Sequence, residues 1–228
     1  MFENFIKREN KIFEILQEFN NAKLNFIVIG GYGVSSYKHR FSVDADIIIE
    51  REDKKKFEEI LKRKKFIKMY VKDLNHICSK EFMKYEIKIN KSPVGIDLMI
   101  DGAGSRDTGA SYSFDEILQH SKIRKIIGSE KEVSVYVPNK EILIVLKLHA
   151  GRLTDIRDVV ALTKDVDLEL IKKFIFRGKI SLVEKNIEKL FSLINNKGFM
   201  DSFKGVFIEK KYDVDLKSLN MLKELIKE

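Results

Sequence analysis

The chain has 228 residues, 44% of them hydrophobic and 34% charged, enough for one full domain with an ordinary core and a smaller second one. Its single cysteine, Cys78, excludes an intramolecular disulfide and a multi-cysteine zinc site, while the formal net charge of +8 suits a polyanionic partner such as nucleic acid or nucleotide phosphate. No apolar run is long enough to span a bilayer, and MFENFIKREN lacks the basic-then-apolar pattern of a signal peptide, so a cytoplasmic protein without membrane contact is expected.

In chain order, Phe5, Ile6, Ile12, Phe13, Ile15 and Leu16 recur near a helical period, which predicts an amphipathic helix over residues 3–19. It leads into an apolar strand at 26–29, then Gly30-Gly31, a short helical segment, Arg40, Ser42, and a second apolar strand opening with Asp44 and Asp46. A charged helix over 53–65 follows, with Phe57, Ile60 and Leu61 on one side; the basic run 62–65 reads as its solvated end rather than a nucleic-acid patch. Strands are expected from Phe66, at 82–89, at 94–100 with Asp97 in an otherwise apolar run, and at 133–137. Between them lie a Gly- and Ser-rich loop at 101–113 and a helix at 114–120.

From Pro138 the pattern turns helical to the end, so the expected division is 1–137 and 138–228. Asn139 caps a helix that Gly151 ends, and Thr154 is placed to cap the next, DIRDVVALTK. Further helices are expected at 168–176, 182–194, 199–207 and 216–226. His39, His76, His120 and His149 share no metal-binding spacing, and Cys78 has no partner motif.

Residues two apart in a strand share a face, so Asp44 and Asp46 repel by roughly 4 kcal/mol at an effective dielectric near 20. Three remedies exist: a raised pKa, a basic neighbour such as Arg40, or a divalent metal held with phosphate oxygens. The glycines favour the third, because residues without side chains let backbone N–H groups approach an anion. An Asp-x-Asp alone is poor grounds, since Asp165/Asp167 and Asp213/Asp215 repeat it where capping or solvated roles suffice. What separates Asp44 and Asp46 is their setting and the lone Asp97 on a later strand. Three carboxylates meeting there can hold two magnesium ions for phosphoryl or nucleotidyl transfer.

Gly30-Gly31, Arg40, Ser42, Asp44, Asp46 and Asp97 together resemble the nucleotidyltransferase superfamily that includes DNA polymerase beta and the minimal nucleotidyltransferases. The resemblance implies an α+β fold, a mixed β-sheet flanked by helices, followed by a helical C-terminal region. It implies that Gly30, Gly31, Arg40 and Ser42 bind a nucleoside triphosphate such as ATP. Asp44, Asp46 and Asp97 would be catalytic ligands of two Mg2+ or Mn2+ ions, with Asp97 also taking the acceptor's proton. Gly31 departs from the serine of many relatives, so a hydroxyl contact to phosphate is expected to be missing. The stretch KEILIVLKLHAGRLTDIRDVVAL also resembles an element of the AbiEii-like toxin group. That second likeness implies nucleotide-binding roles for Lys147 and Asp158, an RNA or protein acceptor, and an antitoxin partner. A lysine snorkelling from a core helix and a structural ion pair of Arg157 with Asp158 are the bland alternatives.

Three other readings compete. A dinucleotide-binding unit fits Gly31 and Gly33 after a strand, but has Ser36 as its third small residue and no task for paired aspartates. A sugar-nucleotide transferase using Asp-x-Asp leaves Gly30-Gly31 and Asp97 unexplained. A catalytically silent protein of the same fold, binding RNA or a partner protein, has no need of all three acids.

Overall fold

The computed structural model describes residues 2–74 and 77–227, so His76 lies outside the described residues. The chain separates into two units: Met1–Ala103 with Tyr112–Pro138, and Gly104–Ser111 with Asn139–Glu228.

The first unit is built on a mixed seven-stranded sheet. Its strands are β1 (Phe26–Ile29), β2 (Asp44–Ile49), β3 (Ile67–Asp73), β4 (Glu81–Ile89), β5 (Ser92–Ile100), β8 (Ser121–Ile127) and β9 (Glu132–Pro138), in the order β3-β4-β5-β2-β1-β9-β8. Two short strands, β6 (Gly102–Gly104) and β7 (Ser111–Ser113), form a ladder of their own. β2 runs parallel to β5 and antiparallel to β1. The antiparallel β1–β2 pair rules out a dinucleotide-binding βαβ unit, which requires parallel neighbours joined by a crossover.

The helices of this unit are α1 (Phe2–Asn21), α2 (Gly30–Ser35), α3 (Lys54–Arg63) and α4 (Phe114–Gln119). Alternation decides which way each strand faces. Ala45, Ile47 and Ile49 of β2, Val94, Ile96, Leu98 and Ile100 of β5, and Met83 of β4 are fully buried on one face. Ile12, Ile15, Leu16 and Phe19 of α1 are fully buried as well, and Phe19 meets Phe26 and Phe57 edge-on at 5.6 and 4.7 Å. Two residues of the basic run 62–65 are tied to α1: Lys64 pairs with Glu14 and Glu18, and Arg63 with Glu18.

β8 was not expected from sequence, because SKIRKII carries three basic residues among its apolar ones and lies at the sheet edge, where Ile123 and Ile127 stay exposed. It is held as a hairpin with β9. Glu9 of α1, buried, accepts the Ser129 N–H at 2.7 Å against the turn at Gly128.

The second unit contains α5 (Lys140–Ala150), α6 (Leu153–Leu162), α7 (Leu168–Ile175), α8 (Ile180–Leu193), α9 (Lys197–Phe207) and α10 (Leu216–Lys227). Asn139 caps α5 by accepting the Ile142 N–H, and Gly151 ends it with φ +63°, as the sequence predicts. The start of α6 differs: Arg152, not Thr154, is the capping position, and the Asp155 carboxylate accepts its N–H at 3.2 Å. Asp167 accepts the Leu170 N–H and Asp215 the Ser218 N–H, so the Asp165/Asp167 and Asp213/Asp215 doublets each contain a helix cap. Residues 104–111 are tied down within this unit. Ser105 donates to the His149 carbonyl, the Thr108 carbonyl accepts the Lys179 N–H, and Arg177 donates to the Ser111 carbonyl.

Lys147 is buried in α5 with its ammonium 2.9 Å from Asp155 and 2.8 Å from Asp158 of α6, both fully buried. Burial alone would lower its pKa, but Asp158 and Asp155 outweigh this and raise it. Removing the cation strands two carboxylates in the interior. Lys147→Ala is expected to cost about 3–5 kcal/mol in urea unfolding. A loss below about 1 kcal/mol would show the cluster to be solvated.

Candidate active site

Three aspartates share the sheet face opposite α1 and α3. In the parallel ladder Asp46 lies beside Asp97 and Asp44 beside Gly95, so the acids stand in adjacent positions of β2 and β5 on one side. Burial of the alternate residues of both strands fixes this register, because a slip by one would turn the acids into the core.

The glycines are fitted to the acids. A Cβ on Gly30, whose φ is +60°, would lie 1.7 Å from Asp46 Oδ2, and one on Gly95 would lie 2.3 Å from Asp44 Oδ1. Gly31 makes room for Ser42, whose Oγ is 2.4 Å from the Cβ that a larger residue would carry, and for Arg40, with Nη2 at 3.4 Å. The connection 36–43 is anchored by the buried Tyr32, which donates to the Ser42 carbonyl at 2.9 Å, while Ser42 Oγ donates to the Asp44 carbonyl. The structure thus brings together Gly30, Gly31, Arg40, Ser42, Asp44, Asp46 and Asp97.

Asp97 is the strained member. Its Oδ1 is shut off from solvent and accepts no hydrogen bond among the described residues. Burial first, then Asp46, push its carboxyl up to about 7, with Asp44 and Glu86 adding and Lys84 opposing. Lys84 is its cross-strand neighbour on β4 and was not singled out from sequence; its pKa is raised because Asp97 and Asp44 outweigh burial, and its Nζ lies 3.4 Å from Glu86. The alternation FMKYEIKI was the signal that could have found it, since Lys84 and Glu86 fall on the face opposite Met83 and Tyr85.

Among the described residues no three acidic, histidine or cysteine groups close into a ready metal cage. Magnesium does not need one: it keeps several waters and binds through one or two carboxylates plus substrate phosphates. The orphaned Oδ1 of Asp97, the neighbouring carboxylates and the glycine corner fit such an open site.

Lys147 and Asp158, for which the resemblance implies nucleotide contact, are engaged with each other and with Asp155 inside the helical unit. Arg157 donates to Ser202 Oγ at 2.5 Å. His149 is buried against Thr108 at 3.0 Å and pushed down to about 4 by burial, and His39 contacts the Ile127 carbonyl at 3.0 Å.

No family model and no curated protein matches the chain. Among solved structures, the antibiotic-resistance factor ANT(2'')-Ia is similar at 13% identity and a TM-score of 0.49, over 77% of this chain and 91% of its own. The lincosamide antibiotic adenylyltransferase LnuA is similar at 18% identity and a TM-score of 0.47, over 69% and 98%. JHP933 from Helicobacter pylori is similar at 14% identity and a TM-score of 0.46, over 99% and 91%. These likenesses are distant.

An acid whose folded pKa lies above its unfolded value keeps its proton longer when folded, so its ionisation costs stability as pH rises from the ordinary carboxylate range through about 7. Asp97→Asn is therefore expected to stabilise the metal-free protein above about pH 8 by at most about 4 kcal/mol, with the gain shrinking toward about pH 4. Thermal melts across that range check it. A gain independent of pH would show Asp97 to be relaxed where it is.

Proposed function

We propose that the chain is a metal-dependent nucleotidyltransferase, moving a nucleoside monophosphate from a nucleoside triphosphate to a hydroxyl or amine acceptor and releasing pyrophosphate. The observation that carries this is the register of β2 on β5, which sets Asp46 beside Asp97 with Asp44 on the same face, against the Gly30-Gly31 corner.

The roles follow from position. Gly30 and Gly31 yield their side-chain volume to Asp46, Ser42 and Arg40; their backbone N–H groups would meet the triphosphate, and Arg40 would add a fixed positive charge beside it. Ser42 supplies a hydroxyl close to where a residue-31 side chain would stand, which answers the serine missing at Gly31. Asp44, Asp46 and Asp97 would hold two Mg2+ or Mn2+ ions, whose charge when bound would offset the crowded carboxylates and the charge developing on the α-phosphoryl group. The acceptor oxygen or nitrogen forms its bond to the α-phosphorus while the bond to pyrophosphate breaks. Asp97, ionised when the ions are bound, would take the acceptor's proton.

The helical unit enters through Lys147 and Asp158, which in this reading brace α5 against α6. A toxin-like role in the cytoplasm, with RNA or protein as acceptor and an antitoxin partner, rests on the resemblance of residues 140–162 to the AbiEii-like group.

Incubation with each labelled triphosphate, Mg2+ or Mn2+, and separate pools of RNA, protein and small hydroxylated or amino compounds tests the reading. Transfer is expected to need the metal and to fall at least about a hundredfold in Asp46→Ala, in line with loss of electrostatic stabilisation at a transferring phosphoryl group. Transfer that persists in Asp44→Ala and Asp46→Ala would place the chemistry elsewhere. Saturable RNA or protein binding with no transfer under any condition, unaffected by chelator, would identify a silent binding protein.

A further inference from the structure

The face that carries the three acids does not stop at β5. Lys84 of β4 is paired with Asp97, and Tyr70 of β3 with Lys84, so the row Asp46, Asp97, Lys84, Tyr70 crosses four strands. The adjoining row is Ile48, Met99, Phe82, Lys72. Cross-strand partners share a face, and the rings of Tyr70 and Phe82, 5.9 Å apart at 34°, show that they do so here. At a strand spacing of about 4.8 Å, Tyr70 is about 10 Å from Asp97. Tyr70 is 50% exposed, although a tyrosine with a ring partner has apolar area to cover.

The charges beside these rings are an exposed lysine and a lysine–glutamate pair. Lys72 is exposed next to Phe82, and Lys84 stands between the rings and Asp97. Glu86 is the acid on this stretch of β4, and it is held by Lys84 at 3.4 Å. A cationic acceptor would need spare carboxylates outside the three aspartates, and this strip offers none that is unclaimed. An exposed tyrosine ring against a half-buried phenylalanine, with an exposed lysine beside them, is instead what an unpaired base and its phosphate require, the base stacking and the lysine meeting the backbone.

We propose that Tyr70, Phe82, Lys72 and Lys84 form the acceptor platform, and that the acceptor is single-stranded RNA whose terminal bases lie on Tyr70 and Phe82 while its end hydroxyl reaches Asp97. The placing of the hydroxyl rests on the nucleotidyl-transfer reading; the stacking does not. Tyr70 and Lys72 determine which acceptor is held and take no part in bond making.

The test is fluorescence anisotropy of the full chain with a short fluorescein-labelled single-stranded RNA of mixed sequence, in chelator and without nucleotide. Tyr70→Ala should weaken binding about tenfold and Tyr70→Phe should restore it, while Lys72→Gln should flatten the salt dependence by about one phosphate contact. Tyr70 is exposed on an edge strand, and an unchanged circular dichroism spectrum confirms that its variants fold. Equal binding by wild type and Tyr70→Ala, or equal binding of a fully duplex RNA, would overturn the platform. Label transferred to protein or small amines alike by wild type and Tyr70→Ala would also overturn it while leaving the enzyme reading intact. Binding with the expected Tyr70 dependence but no transfer to any pool would sustain the platform and refute the enzyme.

Discussion

Like charges held side by side by strand register are the constraint around which the first unit is arranged. Nothing local requires Asp46 to stand beside Asp97. They meet because Ala45, Ile47 and Ile49 on one strand, and Val94, Ile96, Leu98 and Ile100 on the other, are buried under the helices and leave the alternate positions no choice of face. Hydrophobic burial, worth about 1.5–3 kcal/mol for each large apolar side chain, thus supplies the free energy that keeps the carboxylates together. The sheet can hold them only because Gly30, Gly31 and Gly95 give up the volume that the acids, Ser42 and Arg40 occupy.

Two clusters of buried charge in this chain show what separates a structural from a chemical arrangement. Around Lys147 every partner is supplied by the protein: two carboxylates for one ammonium, with Arg152 donating to Asp155 from the solvent side at 2.6 Å. Such a cluster joins α5 to α6 through charge the protein itself supplies. Around Asp97 the balance is negative, one oxygen has no hydrogen bond, and the nearest ammonium is shared with Glu86. An arrangement of that kind is stable only as far as the surrounding core can bear it, and a bound cation would relieve it.

Most of the fold was legible because its signals are local. Period and capping alone place α5 between Asn139 and Gly151, and the apolar run at 26–29 and the doublet Asp44-x-Asp46 mark β1 and β2. β8 was not legible, since an edge strand exposed on its outer side need not alternate, and SKIRKII does not. The start of α6 was misread for a related reason: Thr154 has the usual capping chemistry, but Asp155 reaches back to Arg152 and takes the role from inside the helix. For the site, residue identity pointed to the three acids and the glycine corner. Which acid carries the strain, and that Lys84 and Gly95 belong beside it, depended on the pairing of β5 with both β2 and β4, which no single stretch of sequence contains.

The same pairing would let the proposed recognition and chemistry share one face of the sheet. From β2 to β3 the open face changes character strand by strand: acids on β2 and β5, a lysine–glutamate pair on β4, then aromatic and basic side chains at the edge. Lys84 is the divide. Its charge partly offsets Asp97 on one side and adjoins Tyr70 on the other. β3 can vary its outward residues freely, because the whole strand is exposed and buries no core. A change of acceptor therefore needs only substitutions on that edge, whereas any change at β2 or β5 alters register, acids and core together.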